Sequence, residues 1–259
     1  MKVLIRRWLL ALLVVMTTAP VHAEPPSLTI AAASDLAACM DDLNAEFRRQ
    51  YPEVELKTTT GASGNFFAQI KAGAPFDVFL SADLSYPREL VKAGLAEESS
   101  LLLYATGHLA LWTTRDGVDI SGGLAALRQP ALGRIAIANP DVAPYGRAAK
   151  AALQSAGVWD AVKDRLVTGE NIAQTAQFVQ TGNVDAGLVS LSLLKAPKMA
   201  GVGRYVEIPE GLHPRLEQGG VITRHGTANP MAAAYLLFLA SPGARAVFDR
   251  YGFLLPANP

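Results

Sequence analysis

Short apolar segments alternate with amphipathic segments along almost the whole chain, and this alternation restricts the fold more than any other feature. The segment SLTIAAA (27–33) is typical of a buried strand, and the residues after it carry apolar side chains at helical spacing. The same order recurs in VELKTTT followed by GNFFAQIKAG, and in DVFLSA followed by SYPRELVKAG. Strands that alternate with helices predict an α/β fold with a mostly parallel sheet covered by helices.

The alternation begins again in the second half of the chain. HLALWT, RIAIAN, DAGLVSL and GGVITR are predicted strands, and YGRAAKAALQSAG and NIAQTAQFVQTG are predicted helices. Asn229 and Ser241 each precede a proline and are predicted to cap the last two helices. Two α/β lobes of roughly a hundred residues each fit ordinary domain sizes.

Residues 1–23 have the composition of a secretory signal peptide. Lys2, Arg6 and Arg7 form a basic start, and Trp8–Met16 form an apolar run that is short for a bilayer span. A small-x-Ala cleavage site then ends at Ala23. We therefore expect a cleaved, periplasmic protein, with an uncleaved anchor helix as the alternative.

The charges balance, which bears on the class of partner. The chain has 23 Lys and Arg residues and 23 Asp and Glu residues, so its formal net charge is zero. No overall field favours nucleic acid or acidic lipid. Any anion that the protein binds must therefore be held by local geometry.

Residues for catalysis or metal binding are sparse. Cys39, the single cysteine, shares the apolar stripe of a predicted helix from about Asp35 to Gln50, so we expect a buried thiol. No His or Cys cluster has metal-ligand spacing. An exported serine hydrolase is the enzyme alternative, but GASG around Ser63 lacks the G-x-S-x-G spacing, and no histidine lies beside a second catalytic signature.

Small and hydroxyl residues repeatedly stand where a predicted strand ends and a helix begins. Ser34, Ser63, Tyr145 and Asn171 all occupy such junctions. Helix starts present unpaired N–H groups and the positive end of the helix dipole to an anion. A single junction of this kind is usually an ordinary cap. Several that meet at the carboxyl ends of strands would form a binding site.

Five segments of the chain are similar to segments of a known protein family. AAASD, TGASGNFFAQI, GAPFDVFLSAD, NPDVAPYGRAAKAAL and the final DRYGF resemble the periplasmic molybdate-binding proteins of bacterial ABC transporters, in order and in spacing. The resemblance covers almost the whole chain after residue 23. It implies a type II periplasmic-binding fold, in which two lobes are joined by two crossovers and a molybdate or tungstate dianion lies between them.

The resemblance also implies which residues hold the ligand. Ser34 and Ser63 match two hydroxyl donors of the first lobe. Tyr145 matches a residue of the second lobe that donates through its backbone N–H, and Ile172 matches an aliphatic position that does the same. Molybdenum would be present only as part of the bound oxyanion, and no cofactor is expected.

Two positions depart from the family pattern. Ser190 stands where some members bring a tyrosine hydroxyl to the ligand, so this additional contact stays open, and Ser190 could be only a cap. Asp35 follows Ser34 where some members have a neutral residue. We expect its side chain to turn outward and interact with the helix dipole, because a carboxylate that faces a dianion in a dry site is costly. The alternative is that Asp35 accepts a proton from an oxyanion such as hydrogen phosphate.

Together these observations predict a monomeric solute-binding protein that delivers molybdate, and also tungstate, to an inner-membrane ABC permease. Lobe 1 should comprise residues 24–104 and 221–259, and lobe 2 residues 105–220. Binding of sulfate, phosphate or an organic acid is the main alternative. The nearest arginine in sequence, Arg147, is expected to point away from the ligand.

Overall fold

The computed structural model describes residues 25–257, so the predicted signal peptide lies outside the described residues. The strands are β1 (Ser27–Ala33), β2 (Glu55–Gly61), β3 (Val78–Ser81), β4 (Leu102–Gly107), β5 (Leu109–Thr113), β6 (Ile135–Ala138), β7 (Leu166–Gly169), β8 (Ala186–Ser190), β9 (Arg204–Glu207) and β10 (Leu216–Ile222). The helices are α1 (Met40–Arg48), α2 (Ser63–Lys71), α3 (Ser85–Lys92), α4 (Pro144–Ser155), α5 (Trp159–Val162), α6 (Ile172–Gln180), α7 (Leu191–Leu194), α8 (Pro230–Leu239) and α9 (Pro242–Arg250).

The strands form two five-stranded sheets, and each sheet is the centre of one lobe. Lobe 1 has the order β2-β1-β3-β10-β4, and lobe 2 has the order β7-β6-β8-β5-β9. In lobe 1, β1 pairs with β2 and β3 in parallel, whereas β10 runs antiparallel to β3 and β4. Lobe 2 repeats this pattern, with parallel pairs around β6 and antiparallel pairs around β5. The two-lobed α/β fold is confirmed, but both sheets are mixed and not mostly parallel.

The antiparallel strands lie where the chain passes from one sheet to the other. β4 ends at Gly107 and β5 begins at Leu109, so one residue separates the two sheets at the first passage. The second passage lies between Glu207 and Leu216. The predicted lobe limits, 104/105 and 220/221, fall within β4 and β10, close to these passages, and the limits themselves stay a prediction.

Most predicted elements are present, with one difference next to the site. The helix predicted from about Asp35 begins only at Met40, because Ser34–Leu36 form a separate 3-10 turn. Asn229 and Ser241 cap α8 and α9 as predicted, since their side chains accept hydrogen bonds from first-turn N–H groups.

Both lobes have closely packed cores. In lobe 1 the Phe47 ring lies 4.9 Å from the Tyr235 ring and 5.3 Å from the Phe238 ring, centroid to centroid. Cys39 is buried there, as predicted, and its thiol donates to the Leu36 carbonyl at 3.3 Å. In lobe 2 the buried Trp112 indole donates to the carbonyl of Val202.

Within residues 25–257, no single helix is long and apolar enough to cross a bilayer. In this described part of the chain, only α8 and α9 taken together reach that length and composition, and they are bent by 58° at their junction.

Candidate functional site

A small cavity lies between the two lobes, where strand ends of both sheets face each other. The cavity volume is about 10 Å³, roughly the room that one water molecule needs. The space between the lobes is therefore narrow. The lining consists mainly of small residues from helix starts: Ala33, Ser34, Asp35, Gly61, Ala62, Ser63 and Ala82 from lobe 1, and Ala143, Pro144, Tyr145 and Ile172 from lobe 2.

Larger grooves occur at the surface, but they have a different character. One of about 300 Å³ runs beside Leu236 and Leu237 on α8 and is mostly apolar. None of the residues predicted from sequence to bind a ligand lines it. The small interlobe cavity is therefore the candidate site.

Lobe 1 contributes two serine hydroxyls. The Ser63 Oγ accepts a hydrogen bond from the Ala82 N–H at 3.0 Å, which fixes the hydroxyl but does not use its proton. The Ser34 side chain belongs to the same lining. Both side chains are almost fully buried. They can therefore donate O–H groups to a ligand in the cavity.

Lobe 2 contributes backbone N–H groups at the starts of α4 and α6. Tyr145 lies in the first turn of α4, where an N–H has no acceptor within its own helix. Ile172 is the first residue of α6, and the Asn171 side chain caps the N–H groups of Ala173 and Gln174 at 3.0 Å each. The cap leaves the N–H of Ile172 free for a ligand.

The orientation of the Asp35 side chain contradicts one of our predictions. Its side chain does not turn outward: the residue is 0% exposed and lines the cavity. The Tyr145 hydroxyl and the Gln218 amide lie nearby, yet neither carboxyl oxygen has a hydrogen bond of ordinary geometry. Asp35 lies in the 3-10 turn Ser34–Leu36, all three residues of which are buried.

Burial raises the pKa of Asp35 from 3.8 to about 7, and hydrogen bonding from the Tyr145 hydroxyl offsets only part of that rise. A buried carboxyl group without a cationic partner is held more easily as the neutral acid. In that form it has an O–H group to donate. In its ionised form it can only accept.

The buried Tyr145 hydroxyl lies at the back of the site, and sequence reasoning did not identify its surroundings. It makes no hydrogen bond of ordinary geometry with the described residues, although the Asp35 carboxyl group lies nearby. A Cβ atom at Gly107 would collide with it, so the glycine at the end of β4 makes room for the tyrosine ring. A glycine at the last position of a strand was the only sequence signal for this contact.

Ser190 does not line the cavity. It is buried at the end of β8, does not cap α7 through its side chain, and has its Oγ 3.1 Å from the Ser192 Oγ. The Ser192 hydroxyl in turn donates across the lobes to the Asp35 carbonyl at 2.7 Å. Ser192 is thus an interlobe contact that sequence reasoning missed.

The lining contains no Lys, Arg or His side chain. As predicted, Arg147 points away from the cavity, and it bonds instead to Asp83 and Tyr86. Within residues 25–257, no group of three or more His, Cys, Asp or Glu residues could hold a metal ion. The serines of the site also have no histidine beside them in the lining to act as a base. The arrangement suits the binding of a small anion by neutral donors, favoured further by the dipoles of α2, α4 and α6.

Comparison with known proteins gives a consistent result. Residues 28–254 match the family model of the bacterial extracellular solute-binding proteins. The chain is 39% identical over 233 residues to the molybdate-binding protein ModA of Azotobacter vinelandii, a match that covers 89% of this chain and 91% of that protein. It is 38% identical over 195 residues to the ModA protein of Rhodobacter capsulatus, with 75% of each chain covered.

A solved structure has the same architecture. The periplasmic molybdate-binding protein of Azotobacter vinelandii superposes with a TM-score of 0.83 at 30% sequence identity, covering 89% of this chain and 100% of the other. The match extends over both lobes.

Proposed function

The chain belongs to the family of bacterial extracellular solute-binding proteins, and from this premise we propose that it captures molybdate between its two lobes and delivers it to an ABC permease. The named relatives, both molybdate-binding proteins, support this choice of solute. Tungstate, an oxyanion of the same shape and charge, is the expected second ligand.

One observation carries the proposal: the cavity offers neutral donors from both lobes and no cationic side chain. Ser34 and Ser63 supply hydroxyls, and Tyr145 and Ile172 supply backbone N–H groups. A tetrahedral dianion without a proton only accepts hydrogen bonds, so these groups can satisfy it without any buried countercharge.

The protonation state of Asp35 adds a detail to the proposal. As a neutral acid it adds a further donor beside the dianion, whereas its ionised form would repel the ligand. The same carboxyl group favours a second candidate, a protonated oxyanion such as hydrogen phosphate, whose proton the ionised carboxylate could accept. Ser190 has no part in the proposed ligand set, because its hydroxyl faces Ser192.

The remaining parts of the proposal follow from the family. We expect a monomer that acts in the periplasm after cleavage of residues 1–23 and that needs no cofactor for binding. The lobes close on the oxyanion, because a ligand that binds the closed form more tightly shifts the equilibrium toward it. The permease would then recognise the closed shape.

Isothermal titration calorimetry of ligand-free protein against molybdate, tungstate, sulfate and phosphate tests the proposal. We expect tight binding of molybdate and tungstate and weak or no binding of phosphate. Tight binding of phosphate alone would contradict it and favour the second candidate. Absence of heat from all four anions, together with turnover of an ester, would favour the hydrolase alternative.

A further inference from the structure

Arg147 joins the two lobes at the rim of the cavity. It projects from α4 of lobe 2, and its Nη2 donates to the Asp83 Oδ2 at 2.6 Å, just after β3 of lobe 1. Its Nη1 donates to the Tyr86 hydroxyl on α3 at 3.0 Å. The guanidinium carbon also lies 5.3 Å from the centroid of the Tyr86 ring, within the range of a cation–π contact.

On the lobe 1 side of this contact, Asp83 is held in place by hydrogen bonds within lobe 1. The Asp83 Oδ1 accepts from the Ser85 N–H at 2.8 Å, and the Asp83 N–H donates to the Ser81 Oγ at 3.1 Å. The carboxylate therefore faces lobe 2 in a fixed orientation. Little side-chain entropy remains for it to lose when the lobes meet.

A backbone contact lies beside the arginine. The Gly64 N–H donates across the lobes to the Val142 carbonyl at 2.8 Å. A Cβ atom at position 64 would lie 2.7 Å from that carbonyl oxygen and 2.9 Å from the Tyr86 hydroxyl. Only glycine allows the two lobes to approach this closely. Gly64 directly follows Ser63, so the contact lies next to the candidate ligand donors.

We propose that Arg147, Asp83 and Tyr86, together with the Gly64–Val142 hydrogen bond, form an interlobe clasp that stabilises the closed form and slows release of the bound oxyanion. The proposal rests on the proposed function for the identity of the ligand. Every contact of the clasp joins one lobe to the other, so each exists only when the lobes are closed. Arg147 is thus a positioning residue that sets affinity without touching the ligand.

The clasp makes a kinetic prediction, because a contact made only after closure acts on opening. Arg147→Met should speed molybdate dissociation by about 3- to 20-fold, the range for a half-exposed ion pair reinforced by a second charged hydrogen bond. The association rate should change by less than about 2-fold. Arg147→Lys, which keeps the charge but not the paired donors, should restore part of the loss.

A double-mutant cycle separates the clasp from a general effect on folding. Asp83→Asn should speed dissociation on its own, and the Arg147→Met/Asp83→Asn double variant should be no faster than the faster single variant. The matched control is Arg115→Met, which removes an arginine–aspartate pair with Asp185 that lies wholly within lobe 2. The control should leave both rate constants unchanged.

Stopped-flow tryptophan fluorescence with molybdate gives the rates, and hydrogen exchange at the Gly64 amide gives a readout that needs no ligand. In ligand-free protein this amide should exchange faster in Arg147→Met than in wild type or Arg115→Met. Unchanged dissociation and unchanged Gly64 exchange in Arg147→Met would overturn the clasp. Wild-type protein that binds no oxyanion would contradict the proposed function instead, and Gly64 exchange would still decide whether the clasp exists.

Discussion

At the scale of single residues, the candidate site depends on which polar groups have protons that are not already donated within the protein. The Ser63 hydroxyl is fixed by the Ala82 N–H yet keeps its own proton, and the Ser34 hydroxyl belongs to the same lining. Asp35 lies beside them without a cation. These three side chains give separate predictions, because hydroxyl donors do not titrate near neutral pH and the buried carboxyl group does.

Ser34→Ala and Ser63→Ala should each weaken molybdate binding by about 1–3 kcal/mol, because a buried charge loses one donor. This corresponds to an increase in Kd of about 5- to 150-fold, measured by calorimetry. Ser190→Ala is the matched control, since this buried serine lies outside the lining, and its Kd should stay within about 3-fold of wild type. Unchanged affinity in both Ser34→Ala and Ser63→Ala would reject the site.

Molybdate affinity should fall as the pH rises above about 7, because the dianion opposes ionisation of Asp35 and binding therefore requires the protonated carboxyl group. The expected slope approaches tenfold in Kd per pH unit. The neighbouring titratable groups, Cys39, Tyr104 and Tyr145, have pKa values raised by burial and stay neutral in this range. Asp35→Asn should bind with little pH dependence. An equal slope in Asp35→Asn would contradict this assignment.

The same pKa predicts an effect on stability without ligand. The folded protein holds the Asp35 proton more tightly than the unfolded chain does, because the pKa rises from 3.8 to about 7 on folding. The free energy of unfolding should therefore fall as the pH rises through this interval and level off above it. Thermal unfolding gives the Tm difference between Asp35→Asn and wild type at each pH. This difference should be several degrees more favourable to Asp35→Asn at about pH 8 than at about pH 4. A Tm difference that does not change with pH would indicate that Asp35 is not buried in this way.

At the scale of elements, helix starts direct their free N–H groups into the cavity. In α6 the Asn171 side chain accepts from the second and third residues of the helix, so the N–H of the first residue, Ile172, is left unpaired but firmly oriented. The cap and the binding group are thus neighbouring parts of one turn.

Asn171→Ala should lower stability by about 1 kcal/mol through loss of the cap, and it should weaken molybdate binding because the first turn frays. Ile172→Val keeps the backbone N–H and should bind within about 2-fold of wild type. Thermal unfolding and calorimetry on the two variants make the comparison. A larger loss of affinity in Ile172→Val than in Asn171→Ala would mean that the side chain, and not the backbone, contacts the ligand.

Most elements with a strong apolar pattern were predictable from sequence, but the apolar edge strand β4 was not. Strand β1 and helices α8 and α9 were evident, because buried faces and caps leave clear signals. The edge strands β4, β7 and β9 were missed. The last of these, RYVE, is short and mostly exposed, so its side chains carry no apolar alternation.

Some features of the site were likewise predictable from sequence, and others were not. Ser34, Ser63, Tyr145 and Ile172 stand at strand–helix junctions, and the structure brings all four to one cavity; their contact with a ligand stays a prediction. The inward direction of Asp35 was missed; the residue lies in a three-residue turn that periodicity does not reveal. The partners of Arg147 were also hidden, since Asp83 and Tyr86 are more than sixty residues away in sequence.

At the scale of the whole molecule, the ligand and the interlobe contacts act on one equilibrium between open and closed lobes. The Ser192 hydroxyl, the Gly64 N–H and the Arg147 guanidinium each cross between the lobes. A dianion in the cavity would accept hydrogen bonds from donors of both lobes and so add to these contacts. Ligand binding should therefore stabilise the fold as a unit.

Molybdate at about a thousand times its Kd should stabilise the folded protein by about 4 kcal/mol through linkage. For a chain of this size, that corresponds to a rise in Tm of about 8–16 °C. Differential scanning calorimetry with molybdate, and with sulfate at the same concentration as a control, measures it. An equal rise with both anions would show that the site does not distinguish them.

The central claim is that neutral donors from two facing lobes hold a tetrahedral dianion without a cationic side chain. A crystal structure of the molybdate complex, with molybdenum located by anomalous scattering, tests this claim most directly. We predict a single molybdenum peak between the lobes, with its oxygens within hydrogen-bond distance of the Ser34 and Ser63 hydroxyls and the Tyr145 and Ile172 N–H groups. A peak outside the interlobe cavity, or an oxyanion bound by arginine or lysine side chains, would contradict the account.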